Sequence, residues 1–343
     1  MSLLVIDPGL STTVQDLGRP GYREFGVSPG GVFDRRSAGL ANALVGNPAT
    51  AAVLEMTLNG GAYEAVTPVG LSLAGVPMNA TKRRRDGFAQ SLAIPLSFSM
   101  DVGDRLIVGA ADRGVRTYLG VVGGWRTPLV LGSRSDETRL KAGDRLLCVR
   151  GAIPTRRPRE VEPVGSAEIV LRVVEGPDRD DVDLTALTEC GYRVSPESDR
   201  AGLRLTAVSQ ANVHARRFGP AYDVPFPLRR NPSEKGRKVS RPESRTGPDR
   251  LSTPVAPGAV QWAGGLPLVL GVACGTMGGY PHVAHVISAD LDQLAQARPG
   301  DQIRFVLVDL SSARELDRLE TRARRRAEMT VAAAALDGRV SLD

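Results

Sequence analysis

The sequence predicts a mainly β protein with a few helices. Three observations carry this. Short runs that are apolar, or that alternate apolar with polar residues, dominate the chain. Thirty-eight glycines and 24 prolines among 343 residues favour turns and short strands over long helices. Three strand candidates also follow a Gly-Asp corner: VGDRL at 102–106, AGDRL at 142–146 and PGDQI at 299–303. Glycine permits positive φ at such a corner, and aspartate can bond nearby backbone amides. Repeated corners of this kind suit sheets or barrels.

In chain order, strands are expected at 3–6, 70–74, 105–108, 117–122, 145–149, 168–174, 266–272 and 302–308. Asp34 can cap a helix over 35–45, where Leu40 and Leu44 share a face. Gly46 suits the position after that helix, and Pro48 stops continuation. A second short helix is expected at 290–297, ended by Arg-Pro-Gly. A third opens on a capping box, Ser312 with Glu315, and runs to about 329 behind a thin stripe of Leu316, Leu319 and Ala323. The proline- and charge-rich segment 153–163 (IPTRRPREVEP) is the linker candidate near the middle. The expected organisation is thus 1–152, a linker 153–163, 164–310, and a C-terminal helix over 311–330.

The net charge of +6 has a location. Between Arg216 and Arg250 there are ten Lys/Arg against four Asp/Glu, and the remainder is balanced. From Arg229 to Arg250 that segment is rich in Pro, Ser and Gly and nearly devoid of apolar residues. Such a composition buries too little surface to offset ordering entropy, so 229–250 reads as a mobile loop. The alternative is a nucleic-acid arm, but with 4% aromatics nothing nearby would read bases.

Cys148, Cys190 and Cys274 are odd in number and far apart, which excludes a disulfide framework or zinc knuckle. No basic-plus-apolar leader precedes Leu3, and no apolar run reaches the roughly 18 residues of a membrane span. The expected localisation is cytoplasmic, with no membrane and no nucleic acid as partners.

Walker, GxGxxG, GxSxG and HExxH motifs are absent. His282 and His285, in YPHVAHVIS, stand at helical ligand spacing. The run reads as a strand, however, so they should face opposite sides, one packed and one at the surface, with no metal. Gly275–Tyr280 (GTMGGY) is a glycine-rich corner whose amides can hold an anion, or whose glycines only permit a tight turn under Tyr280. Arg134, between two serines in LGSRS, is suited to grip a carboxylate or simply faces solvent.

The densest polar stretch is 12–55, with Gln15, Asp16, Arg19, Asp34, Asn42, Asn47 and Glu55 among glycines and prolines. Asp16 and Arg19 either staple a corner or present a base and a cation to a substrate. Gln15, Asn42 and Asn47 can satisfy buried backbone groups.

Ten ordered motifs carry a resemblance. They are TTVQDLGRPGY, GVSPGGVFD, the Ala41–Pro48 run, Leu54-Glu55, YLGVVGG at 118–124, LGSRS at 131–135, SDRAGLRL at 198–205, PGAVQ at 257–261, TMGGYP at 276–281 and AQARPGD at 295–301. Together these resemble the signature of the 5-oxoprolinase C-subunit family, also called Kip-inhibitor antagonist, allophanate hydrolase subunit 2, and the carboxyltransferase A/B domain of urea carboxylase. The likeness runs from about residue 3 to 305. It implies two tandem cyclophilin-like β-barrel subdomains. It also implies heteromeric assembly with the Kip-inhibitor-like B component of 5-oxoprolinase, together with the A component. It implies ATP, shared with those partners, driving the opening of a cyclic amide such as 5-oxo-L-proline. The alternatives it implies are a carboxyltransferase component of a biotin-dependent urea carboxylase, or a non-catalytic antagonist of a Kip-inhibitor-type protein. No biotin-attachment segment is present, so no biotin is expected on this chain.

The resemblance marks positions rather than roles. The candidate catalytic residues are Asp16, Arg19, Asp34 and Glu55. The candidate substrate-binding residues are Gln15, Asn47, Arg134, Gly278, Gly279 and Tyr280. The substrate is expected to be a small lactam or amide.

Overall fold

The computed structural model describes residues 2–158, 168–182, 184–208 and 251–336. Strand dominates helix, as expected. The first half forms two antiparallel sheets. One has strand order β11-β1-β4-β9-β6-β7, where β1 is Ser2–Asp7, β4 Asn59–Ala65, β6 Met78–Arg83, β7 Ala89–Leu92, β9 Arg105–Ala111 and β11 Arg145–Leu147. The other has order β2-β3-β10-β5-β8, where β2 is Ser11–Gln15, β3 Val53–Thr57, β5 Val69–Gly75, β8 Leu96–Met100 and β10 Arg116–Val121. One apolar cluster draws on both sheets, including Leu3, Tyr63 and Leu106 from the first and Leu54, Leu71 and Leu119 from the second. Two faces of alternating strands therefore close on one core.

The second half is a closed seven-stranded barrel, β12-β19-β16-β17-β14-β13-β20. Its strands are β12 Glu168–Glu175, β13 Gly191–Val194, β14 Gly202–Ala207, β16 Ala259–Ala263, β17 Leu266–Leu270, β19 His282–Val286 and β20 Gln302–Leu307. It closes where β12 runs parallel to β20. A two-stranded ribbon, β15 (Thr253–Pro254) with β18 (Met277–Gly278), stands beside it. The barrel core includes Leu171, Val269 and Phe305, and also Phe33, a ring supplied by the first half.

The three Gly-Asp corners share one construction. Gly103, Gly143 and Gly300 all have positive φ, between 84° and 97°. In each, the aspartate carboxylate accepts the amide three residues earlier: Asp101 N to Asp104 at 3.1 Å, Lys141 N to Asp144 at 2.8 Å, Arg298 N to Asp301 at 2.8 Å. The glycine amide then docks on a neighbouring strand, at Ala65, Val5 and Val194 respectively. Two copies lie in the first half and one in the second.

Helix α1 (Arg35–Leu44) is capped by Asp34, which accepts Ser37 N at 2.8 Å, and Gly46 beyond it has φ 74°. Its small buried residues Ala38 and Ala41 pack with Ala74 and Tyr118 on the outer face of the second sheet. A short helix, α2, spans Leu184–Glu189, and α3 spans Leu291–Ala295. Helix α4 runs from Leu310 to Leu336, longer than expected. Its cap is Asp309, which accepts Ser312 N at 2.9 Å and Ser312 Oγ at 2.7 Å, so Ser312 lies inside the helix and the expected Ser312–Glu315 box is not the start. Helices α1 and α4 meet at Gly39, where the Glu328 carboxylate lies against the glycine.

The first residues of the expected linker run along β8, with Ile153 N donating to Ser99 Oγ at 2.7 Å and Ser97 N to the Arg156 carbonyl at 2.9 Å. Residues 159–163 and the basic loop 229–250 lie outside the described residues. No described helix is long and apolar enough to cross a membrane.

The histidines correct the sequence reading. β19 is a strand, but its register against β16 shifts between Val260 and Gln261. That bulge turns both rings to one side, with His285 Nδ1 3.3 Å from His282 Nε2. Neither is a free surface imidazole.

Candidate functional site

Strand parity sets up a polar seam between the halves. In β3, Leu54 and Met56 enter the shared core, which sends Glu55 to the opposite face. In β10, Leu119 and Val121 do the same, which sends Arg116 and Tyr118 outward. Glu55 and Tyr118 are direct cross-strand partners. Helix α1 and side chains of the second half, Arg200 and Gln296 among them, cover this face, so all three are buried.

Glu55 is saturated. Its Oε1 accepts Arg116 Nε at 3.0 Å and a nitrogen of Arg200, which comes from the corner before β14. Its Oε2 accepts Phe33 N and the Tyr118 hydroxyl, each at 2.9 Å. Burial alone would raise its pKa, but Arg200, Arg116 and the Phe33 amide together hold it below the ordinary value. Burial and the Glu55 and Asp34 carboxylates push the Tyr118 phenol far up, so it donates rather than ionises. Arg116 also lies over the Phe33 ring, 4.7 Å from its centroid.

Asp34 joins the seam through Tyr118, whose oxygen accepts Asp34 N at 2.8 Å. Its carboxylate accepts Ser37 Oγ at 2.6 Å and Gln296 Nε2 at 2.7 Å, while Gln296 Oε1 accepts Val115 N and Arg116 N. Burial outweighs these bonds and raises the Asp34 pKa.

Arg200 carries the seam outward. It donates to the Gly31 carbonyl at 2.6 Å and to Glu137 at 2.8 Å. Glu137 and Arg19 flank Gly30. Arg19 reaches across to the Val130 carbonyl at 3.0 Å and to the Ser135 carbonyl. Glu55 is thus linked to Asp34 through Tyr118 and to Glu137 through Arg200, whereas Arg19 lies near Glu137 at Gly30 but bonds to the Val130 and Ser135 carbonyls.

Asp16 organises the loop that Arg19 grips. It accepts Ser133 Oγ at 2.5 Å, Arg134 N at 2.6 Å, Ser135 Oγ at 2.7 Å and Gly18 N at 2.8 Å. Burial works against the charge, yet these four bonds hold its pKa down. The loop borders an open cleft of about 810 Å³ lined by Asp16, Trp125, Arg126, Thr127 and Arg134, with Gly123 and Gly124. The Thr127 hydroxyl is buried with no partner among the described residues, and its carbonyl accepts the Arg134 guanidinium. Asn47 holds a wall of the cleft, donating to the Val121 carbonyl at 2.7 Å and accepting Gly123 N at 2.8 Å. Gln15 spans to the Asp136 carbonyl at 2.9 Å.

Gly278, Gly279 and Tyr280 sit elsewhere. Gly278 pairs with Thr253 and carries the Gln261 side chain where a Cβ would be, Gly279 faces Ser252, and the Tyr280 carbonyl accepts Gln261. These contacts all lie within the second half.

Sequence reasoning missed Arg116, Tyr118, Glu137, Arg200 and Gln296 as site residues. The signal for Arg116 and Tyr118 was strand parity. For Arg200 and Gln296 it was a polar residue inside a corner motif already singled out.

Known proteins share this architecture. The 5-oxoprolinase C subunit of Escherichia coli is 32% identical over 324 residues, spanning 91% of this chain and 93% of that protein. The protein of the same name from Haemophilus influenzae is 28% identical over 92% of this chain and 94% of its own length. The crystal structure of the K. lactis urea amidolyase superposes with a TM-score of 0.73 at 26% identity, covering 95% of this chain but 20% of that one. Residues 25–307, which include the seam from Glu55 to Gln296, match the family model described as the carboxyltransferase domain, subdomain A and B, and the chain belongs to that family.

Proposed function

We propose that this protein is the C component of an ATP-dependent 5-oxoprolinase, acting with a Kip-inhibitor-like B component and with the A component. The carrying observation is near end-to-end likeness to such a component: 91% of this chain aligned with 93% of the E. coli protein. Likeness to urea amidolyase, by contrast, spans a fifth of that chain.

Amide resonance makes lactam hydrolysis slow. ATP, when bound by the complex, would supply the driving force by activating the lactam oxygen for ring opening by water. The described residues do not fit a phosphate cradle. Gly278 is filled by the Gln261 side chain rather than by an anion, and the nucleotide belongs in this proposal to a site shared with the partners. The chain's own contribution is the cleft beside Asp16. Arg126 and Arg134 offer positive charge to the substrate carboxylate. Asp16, Arg19 and Asn47 position that wall. Asp34 and Glu55 act behind it by fixing Arg116 and Arg200.

The test is co-expression with the A and B components, followed by glutamate release from 5-oxoproline. Release that requires ATP and falls at least tenfold in Arg134→Ala supports the reading. A complex that instead consumes a urea-like acceptor with biotin shows carboxyltransferase chemistry. Tight partner binding with neither activity leaves an antagonist.

A further inference from the structure

Arg19 from the first half and Arg200 from the second meet Glu137 around Gly30, and none of the three lines the cleft beside Asp16. Arg200 is fixed from behind. Its Nη1 donates to Glu55 and its Nη2 to the Gly31 carbonyl at 2.6 Å. Its outer edge, Nε with Nη2, holds the Glu137 carboxylate in a two-point fork at 2.8 and 3.1 Å. That planar edge is the part of an arginine shaped for a carboxylate.

The two members of the fork are held unequally. The Arg200 side chain is 12% exposed and that of Glu137 is 50% exposed. Among the described residues the Glu137 carboxylate bonds to Arg200 alone. The chain on either side is tied down, with Asp136 N donating to the Val14 carbonyl and Leu140 N to the Thr12 carbonyl, each at 2.9 Å. The Glu137 side chain can therefore turn into solvent while the backbone and Arg200 stay in place. A half-exposed partner of this kind binds weakly, so a free carboxylate competes with it.

Arg19 supplies a second cation. Its Nε and Nη2 serve the Val130 and Ser135 carbonyls, which leaves Nη1 uncommitted among the described residues. A Cβ on Gly30 would stand 3.6 Å from that nitrogen and 4.0 Å from Glu137 Oε1. These are ordinary contact distances, so a ligand atom fits between the two groups over a glycine floor. We propose that Arg200 and Arg19 form a binding site for a small carboxylate ligand, and that Glu137 occupies its Arg200 side until a free carboxylate displaces it. The self-ligand shows the chemistry, because the fork already holds a carboxylate. The site does not depend on the lactam reading: its residues lie outside the cleft, and its test needs no turnover.

Full-length wild type and Glu137→Gln are titrated with acetate at constant ionic strength in chloride, following the arginine Nε–H signals by NMR. Acetate should bind Glu137→Gln about fivefold more tightly than wild type, the advantage that an exposed ion pair withholds. The titrating signal should vanish in Glu137→Gln/Arg200→Lys, which keeps a cation beside Glu55 but loses the fork. A crystal of Glu137→Gln soaked in acetate checks the same point without altering Arg200, and should show the carboxylate on Arg200 Nε and Nη2. Equal affinity in wild type and Glu137→Gln overturns the proposal. So does a soaked crystal with no acetate at Arg200, binding that survives Arg200→Lys, or a site that takes inorganic phosphate but not acetate.

Discussion

Arg200, from a corner of the barrel, donates to the buried carboxylate of Glu55 on a strand of the first half, and Arg116 donates to the same oxygen. One acceptor therefore serves two cations from the two halves. Removing one partner of a buried pair leaves an uncompensated charge and costs about 3–5 kcal/mol. Arg200→Met retains much of the side-chain volume and leaves Arg116 in place, so a loss of about 3 kcal/mol is expected, at the low end of that range. Denaturant unfolding checks this; a loss under about 1 kcal/mol, the worth of an exposed pair, would show that Arg116 and Tyr118 suffice.

Asp292 predicts the response to alkali. Its carboxyl accepts Arg35 N at 2.8 Å, and burial together with the neighbouring Asp34 carboxylate pushes its pKa up to about 7, against weaker pulls from Arg324 and Arg35. A carboxyl whose folded pKa lies above its unfolded value of about 3.9 favours the fold when protonated. That benefit is complete below about pH 4 and disappears as pH rises through about 7. Asp292→Asn keeps an acceptor and loses the charge. Its Tm should exceed wild type at pH 8, by the equivalent of about 1–2 kcal/mol after solvent screening, and converge with it near pH 4.

Asp16 behaves with the opposite sign. Its pKa is depressed in the fold, so its contribution is present above the unfolded carboxylate value and is lost as pH falls through the folded one. Asp16→Asn turns one oxygen into a donor facing other donors and should cost about 2 kcal/mol. Hydrogen exchange of amides 130–136 should accelerate more than exchange in the barrel. Uniform acceleration would mean that Asp16 supports the whole fold instead.

Gly143 isolates backbone strain from packing. Its φ is 91°, and nothing lies within 4 Å of where a Cβ would be. Gly143→Ala should cost about 1–2 kcal/mol, and Gly143→Asn distinctly less, because Asn tolerates positive φ. Thermal unfolding of the two variants decides it, and equal losses would refute a conformational origin.

The three clasped corners were legible because glycine and aspartate act within four residues. Helix α1 was legible for the same reason, through Asp34, Gly46 and Pro48. Local chemistry misled at α4, where Ser312–Glu315 imitates a capping box while Asp309, three residues earlier, makes the bonds. Asp34 and Glu55 were named as candidates on polar density, but their partners Arg116, Arg200 and Gln296 lie 61 to 262 residues away, and strand parity or a corner motif marks such a residue without saying which carboxylate it meets. The histidine pair was missed because a single-residue register shift cannot be read from one strand without its neighbour.

Phe33 has its own implication. The ring sits in the barrel core and within 3.1 Å of where a Cβ on Gly271 would stand, although its backbone belongs to the other sheet system. A fragment starting at β12 would therefore fold around a missing plug. Gene dissection at the midpoint would release two unequal products, one with a protruding phenyl group and one with a hole. The twin modules can be recognised separately, but they cannot be harvested separately.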